Sequence, residues 1–189
     1  MAGGAGVLTF LHHGPPLLGV WLPAGMLAGG FGALLVQAAR TFRHRRRPKV
    51  DAGMKTAVGG LVLFALGMVL GPVVLLTDMA PGTTTAYGTA LILGLGLFVA
   101  GHYYKIVPFL VWYHRFGPLA GKKPVPAVGD LYSAGTAHLA GAALFVGSLG
   151  LVAAPPSGSV GLARVAAILF LAGAAVLAVQ ILQIARRRP

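Results

Sequence analysis

Five long apolar runs, joined by connections too short to hold a folded domain, restrict this chain more than any other feature of its sequence. They extend from Pro15 to Ala39, Thr56 to Leu76, Tyr87 to Trp112, Leu131 to Ala153 and Leu162 to Ala185. Crossing a hydrocarbon core about 30 Å thick takes about twenty helical residues, and each run reaches that length. Backbone groups in lipid must bond within their own segment, and the runs lack the alternation of barrel strands, so the expected elements are helices. The expected fold is all-α: a polytopic membrane helix bundle of five transmembrane helices, forming one integral membrane domain over residues 1–189.

Charge then orients the spans. All but two of the 15 Lys and Arg side chains fall in three clusters, Arg40 to Lys55, Arg115 to Lys123 and Arg186 to Arg188, each at the end of an apolar run. Basic residues near span ends are retained on the cytoplasmic face, which predicts the N-terminus outside and the C-terminus inside. Arg164 is then the one cation on the outer side and Lys105 the one within a span. With 57% hydrophobic and 10% charged residues, the chain lies far from the soluble balance, and the expected location is a bacterial or archaeal inner membrane. The net charge of +12 punctuates apolar segments rather than forming a basic face on a soluble module. It therefore points to anionic lipid headgroups and away from nucleic acid. The absence of Cys removes disulfides and thiolate metal sites. Residues Met1 to Phe10 carry no basic region, so a cleaved signal peptide is not expected.

The connections carry breakers. Pro81, Gly82 and Thr83-Thr84-Thr85 are expected to lie in the loop after the second helix, and Pro155-Pro156 to end the fourth. Small residues one turn apart, Gly25 with Gly29, Gly67 with Gly71 and Ala137 with Gly141, allow close helix approach in lipid. That spacing serves packing within the bundle, docking of other membrane subunits or clearance for a flat cofactor. Phe64 and Phe145 can be aligned between the second-third and fourth-fifth helix pairs, but the match is compositional and no internal repeat is inferred.

Chemistry concentrates between Gly101 and Phe116. His102 and Lys105 are three residues apart and share a helical face, with Tyr103 beside them. An ionisable side chain at membrane depth is a candidate functional group, although Lys105 is near enough to the boundary to snorkel. Pro108 removes a donor and frees the carbonyl near Tyr104, while Trp112, Tyr113 and His114 read as an interfacial belt. A second intramembrane imidazole, His138, stands at a comparable height on the following antiparallel helix, among small residues that include Gly135 and Gly141. A haem b between helices 3 and 4 needs axial imidazoles, small residues under the macrocycle and packing such as Phe98, Phe109 and Phe145. His102 and His138 are the candidate iron ligands, with Lys105 placed for a propionate or a quinone oxygen. The competing reading has both histidines bonded to carbonyls and purely structural. His12 and His13, before the first span, are weaker metal candidates that would need a further ligand near Asp78 and Met79. His44, inside a basic cluster, reads as facing solvent or lipid.

The segment Lys105-Ile106-Val107-Pro108-Phe109-Leu110-Val111-Trp112, followed by Pro124 to Pro126 and Leu131-Tyr132, resembles bacterial polytopic membrane proteins of the NnrS, haem-copper oxidase and nitric oxide reductase neighbourhood. The resemblance implies haem-b binding or an accessory role in a respiratory complex. The chain lacks the histidine set for a low-spin haem plus a binuclear centre, so catalysis by this chain alone is not expected. The function expected is thus a small integral membrane subunit of a respiratory or redox complex, with haem b for electron transfer. The alternatives are a non-redox accessory subunit and a small transporter or proton-conducting component. A transporter would use Lys105, His102 and Tyr103 as a relay, but Asp51, Asp78 and Asp130 all lie at span ends.

Overall fold

A computed structural model describes residues 21–44, 50–76 and 81–189. Those residues are mostly helical and contain no strand. The chain divides into two compact units, Met1–Pro48 and Lys49–Pro189. The first contains α1 (Trp21–Arg43), a 23-residue helix ending on Arg40 and Arg43. Thr41 bonds back to the Gln37 carbonyl at 2.9 Å. The space a Cβ would fill at Gly25 and Gly29 is open. The first six residues of the first expected span lie outside the described residues.

The second unit is a bundle of α2 (Ala52–Leu76), α3 (Pro81–Val111), α4 (Ala134–Ser157) and α5 (Val160–Arg186). All four are long and apolar enough to cross a membrane. The burial pattern fits a protein surrounded by lipid. Large aliphatic residues face outward, with Ile92 and Leu139 at 73% and 68% exposure, while Ala90 and Ala137 are fully buried. Apolar side chains outside gain nothing by burial when the surroundings are hydrocarbon, so association rests on close packing of small residues.

That packing is tightest between α2 and α3. Gly53, Gly60 and Gly67 follow each other at seven-residue intervals on α2, as do Gly94 and Gly101 on α3, a spacing that keeps one seam of each helix facing the other. A Cβ on Gly94 would lie 2.5 Å from the Phe64 nitrogen, and one on Gly53 would lie 2.5 Å from the Gly101 oxygen. The backbones themselves touch. Gly67 and Gly71 continue the seam against Leu91 and Tyr87, as their spacing predicts. Ala137 is buried against Ala52 and Tyr104, and Gly141 against Thr56.

Local chemistry sets the helix ends. Asp51 caps α2, its Oδ1 accepting from the Met54 amide at 2.7 Å. Contrary to expectation, Pro81 opens α3 instead of lying in a loop, because its fixed φ suits a first helical position whose N–H would be unbonded anyway. The threonines that follow are helical, and Thr89 bonds back to the Thr85 carbonyl at 2.8 Å. The fourth helix likewise runs through Pro155 and Pro156 and ends at Gly158, which adopts φ +64. Pro108 lies inside α3 without ending it, and the chain continues as one π-turn over Trp112–Phe116.

Candidate functional site at the basic end of the bundle

The start of α2, the end of α3, the connection 112–133, the start of α4 and the end of α5 meet at one end of the bundle. Lys55, Lys105, Arg115, Lys122, Lys123 and Arg186 to Arg188 all belong to it. Of the described charges in this unit, Arg164 alone belongs to the opposite end.

Tyr104 organises this end. It is 2% exposed, and its hydroxyl donates to Gln180 Oε1 at 2.6 Å. Gln180, itself buried on α5, donates from Nε2 to the Ser133 carbonyl at 3.2 Å. One hydrogen-bonded chain therefore ties α3 to α5 and to the residue that caps α4, where Ser133 Oγ accepts from the Thr136 amide at 3.4 Å. The Tyr132 ring packs 5.3 Å from that of Tyr104. Burial, and secondarily the Asp51 carboxylate, raises the Tyr132 pKa above the ordinary tyrosine value, so its phenol stays neutral. Below this layer Phe116, Leu131 and Ile184 form an apolar plug. Trp112 Nε1 donates to the Pro126 carbonyl at 2.7 Å, and the Arg115 guanidinium donates to the Arg187 carbonyl.

Beside this network a groove of about 520 Å³ opens between α4 and α5. Tyr132, Ser133, Thr136, Gln183 and Arg187 supply its polar lining, and Ala175, Val176 and Val179 its apolar wall.

Lys105 is paired within the chain: its Nζ lies 3.1 Å from Asp51 Oδ2, with both side chains nearly half exposed. His102 Nδ1 lies 2.7 Å from the Phe98 carbonyl oxygen, and its ring centroid is 4.5 Å from that of Phe98. A carbonyl only accepts, so Nδ1 carries the proton. His138 is half-buried next to Ala137. Tyr104 and Ala137 share one buried cluster, so by helical rise the neighbouring His102 and His138 lie at similar heights. Their faces differ. At about 100° per residue, His102 is turned about 200° around α3 from Tyr104, the side chain that meets α4 and α5. His138 lies past Gly141 on the edge of α4 that meets α2, so α2 stands between the two flanks.

The other members of the expected haem pocket are dispersed. Gly135 faces open space, whereas Thr56 fills the space beside Gly141. Phe145 packs against Gly59, and Phe109 stacks on Tyr113 at 6.1 Å. Tyr103 is exposed. His12, His13, Asp78 and Met79 lie outside the described residues. Among the described residues no group of three or more His, Asp or Glu side chains could hold a metal ion. Gln180 and Gln183 were the missed signal, being amides in an otherwise apolar run. No family model, curated protein or solved structure matches the chain.

Proposed function

We propose that this chain is a small, non-catalytic membrane subunit that docks on another membrane chain through the outer face of α3, within a respiratory or redox complex. The observation that supports it most is a row on that helix. Tyr103, Ile106, Phe109 and Leu110 are all about half exposed, and at helical spacing they share one face with His102. The bundle interior offers little competing machinery, since every buried side-chain polar atom among the described residues is bonded. The row lies near the basic end, which this reading puts on the cytoplasmic side of an inner membrane, with α1 as the fifth span. A photo-crosslinking residue at Phe109 is expected to capture a second membrane chain, while one at Ile168 on α5 captures lipid. Lipid adducts alone at both positions would refute docking through α3.

Haem b is consistent with one contact on this face, although a purely structural histidine makes the same contact. A ligating histidine characteristically donates its other ring N–H to a carbonyl or carboxylate, which fixes the tautomer and aims the lone pair. His102 is bonded in that way to Phe98, and at helical spacing it lies on the same side of α3 as the exposed row. A haem held there takes its second ligand from the partner chain, with His138 excluded by its flank. A reduced-minus-oxidised spectrum of the purified complex is expected to show split α and β bands that His102→Ala removes and His138→Ala preserves. A featureless spectrum rules the cofactor out.

A further inference from the structure

We infer that the groove between α4 and α5 holds one anionic phospholipid, with its phosphate at the Arg187 end and an acyl chain along the Ala175 wall. The inference rests on reading the bundle as embedded, with its basic end at headgroup level.

Three features support it. The groove is amphipathic along its length: Arg187, Gln183, Thr136 and Ser133 line it together with Ala175, Val176 and Val179. From Arg187 to Ala175 the helical rise covers about 18 Å, which exceeds the depth of one headgroup layer and reaches well into the hydrocarbon. A free phosphate would use one end of such a groove and a neutral amphiphile would leave the cation unused. A phospholipid with net negative charge matches both ends.

The charge is one-sided. Arg187 has Arg186 and Arg188 as neighbours in the chain, and Arg115 reaches the Arg187 carbonyl, which fastens the end of α5 beside the mouth. No acidic side chain lines the groove. The two described acidic side chains at this end are engaged elsewhere, Asp51 with Lys105 and Asp130 with the Ala127 amide at 3.1 Å. Basic pockets between transmembrane helices at a positively charged boundary bind anionic headgroups by this arrangement of charge.

The opening has a structural origin. Gln180 lines the groove too, but its amide is bonded to Tyr104 and to the Ser133 carbonyl, so it does not extend across the opening beside Val176, Val179 and Gln183.

The test uses the full chain, stripped of native lipid and reconstituted in nanodiscs containing equal phosphatidylglycerol and phosphatidylcholine, with retained lipid counted by native mass spectrometry. The wild-type protein is expected to keep one phosphatidylglycerol. Arg187→Gln lowers its retention about fivefold, the effect of one cation at a membrane surface. Thr136→Val, whose exposed side chain leaves the bundle intact, lowers it by a smaller factor, and Lys122→Gln, at the same end but outside the groove, leaves it unchanged. Equal retention of phosphatidylcholine overturns the inference, as does an equal loss in Lys122→Gln, which would mean general surface charge. Extraction by alkaline carbonate separates the two levels. A chain released from membranes fails the embedded reading itself, whereas an embedded chain with no preference for phosphatidylglycerol fails this inference alone.

Discussion

The α2–α3 pair and the α4–α5 pair are both antiparallel and rich in small residues, yet at the basic end one is closed and the other open. Between α2 and α3, backbone contact reaches the first turn of α2, where Gly53 meets Gly101. Between α4 and α5 the equivalent contacts are confined to the deeper part. There, a Cβ on Gly147 would lie 2.7 Å from the Phe170 nitrogen, and one on Gly173 would lie 2.8 Å from the Leu144 nitrogen. Past Gly173, α5 presents Val176, Val179, Gln180 and Gln183, which line the groove. Where glycine recurs every seventh residue, the two helices stay in contact from Gly53 to Gly71 on α2. Where the repeat stops, side chains and hydrogen bonds set the spacing.

The largest effect expected from breaking this contrast is at the seam. Gly94→Val places a side chain into the backbone of Phe64 and costs on the order of 3 kcal/mol, visible as loss of folded protein in a detergent unfolding titration. Gly96→Ala, on the same helix but facing open space, serves as the control and stabilises by up to about 1 kcal/mol. A seam variant as stable as that control would show that α2 and α3 are not in backbone contact.

A smaller effect is expected on the open side. Tyr104→Phe leaves the buried Gln180 carbonyl without its donor and destabilises by about 1 kcal/mol. Combined with Gln180→Leu, the loss should be less than the sum of the two single losses, since the pair shares one bond. Strict additivity would separate the residues.

Weaker still is the ion pair at the mouth of the seam. Lys105→Met changes stability by about 0.5 kcal/mol or less, because both partners are nearly half exposed. Asp51→Ala costs about 1 kcal/mol through loss of the α2 cap, and Asp51→Asn recovers most of it. Equal effects of Asn and Ala at this position would assign the role of Asp51 to the ion pair instead of the cap.

The smallest difference is expected in alkaline solution. The raised pKa of Tyr132 means that folding favours the neutral phenol. Its contribution to stability is complete below the ordinary tyrosine pKa and is lost as pH rises through the higher folded value. Tyr132→Phe should therefore flatten the alkaline fall in stability, and an unchanged slope would discount the burial of that ring.

Much of the fold was legible in the sequence, and less of the site. Hydropathy located the runs that became α2 to α5, with boundaries displaced by a few residues wherever a proline suited a helix start or was carried to a later glycine stop. The pairs Gly67 with Gly71 and Ala137 with Gly141 were legible as contact points. The longer repeat through Gly53, Gly60, Gly94 and Gly101 was present but emerges only when residues seven apart are compared. Within the site, His102 and Lys105 were visible as ionisable groups at depth, whereas their partners, a carbonyl one turn away and a carboxylate on another helix, were not. Tyr104 drew notice only as the carbonyl opposite Pro108, and its bond to Gln180 spans 76 residues.

The sequence by itself determined what is local and additive: helical class, which stretches prefer lipid, and the gathering of basic residues at alternate connections. Each of these depends on sums of transfer free energy and charge along the chain, and no neighbour needs to be known. Only the tertiary structure decided the rotation of each helix about its axis, and so whether Tyr104 or His102 faces the interior. Helices that are apolar on every side carry no amphipathic stripe to fix that angle. In this bundle it is fixed by the few places where two backbones can touch, a property of pairs of helices that neither helix states alone.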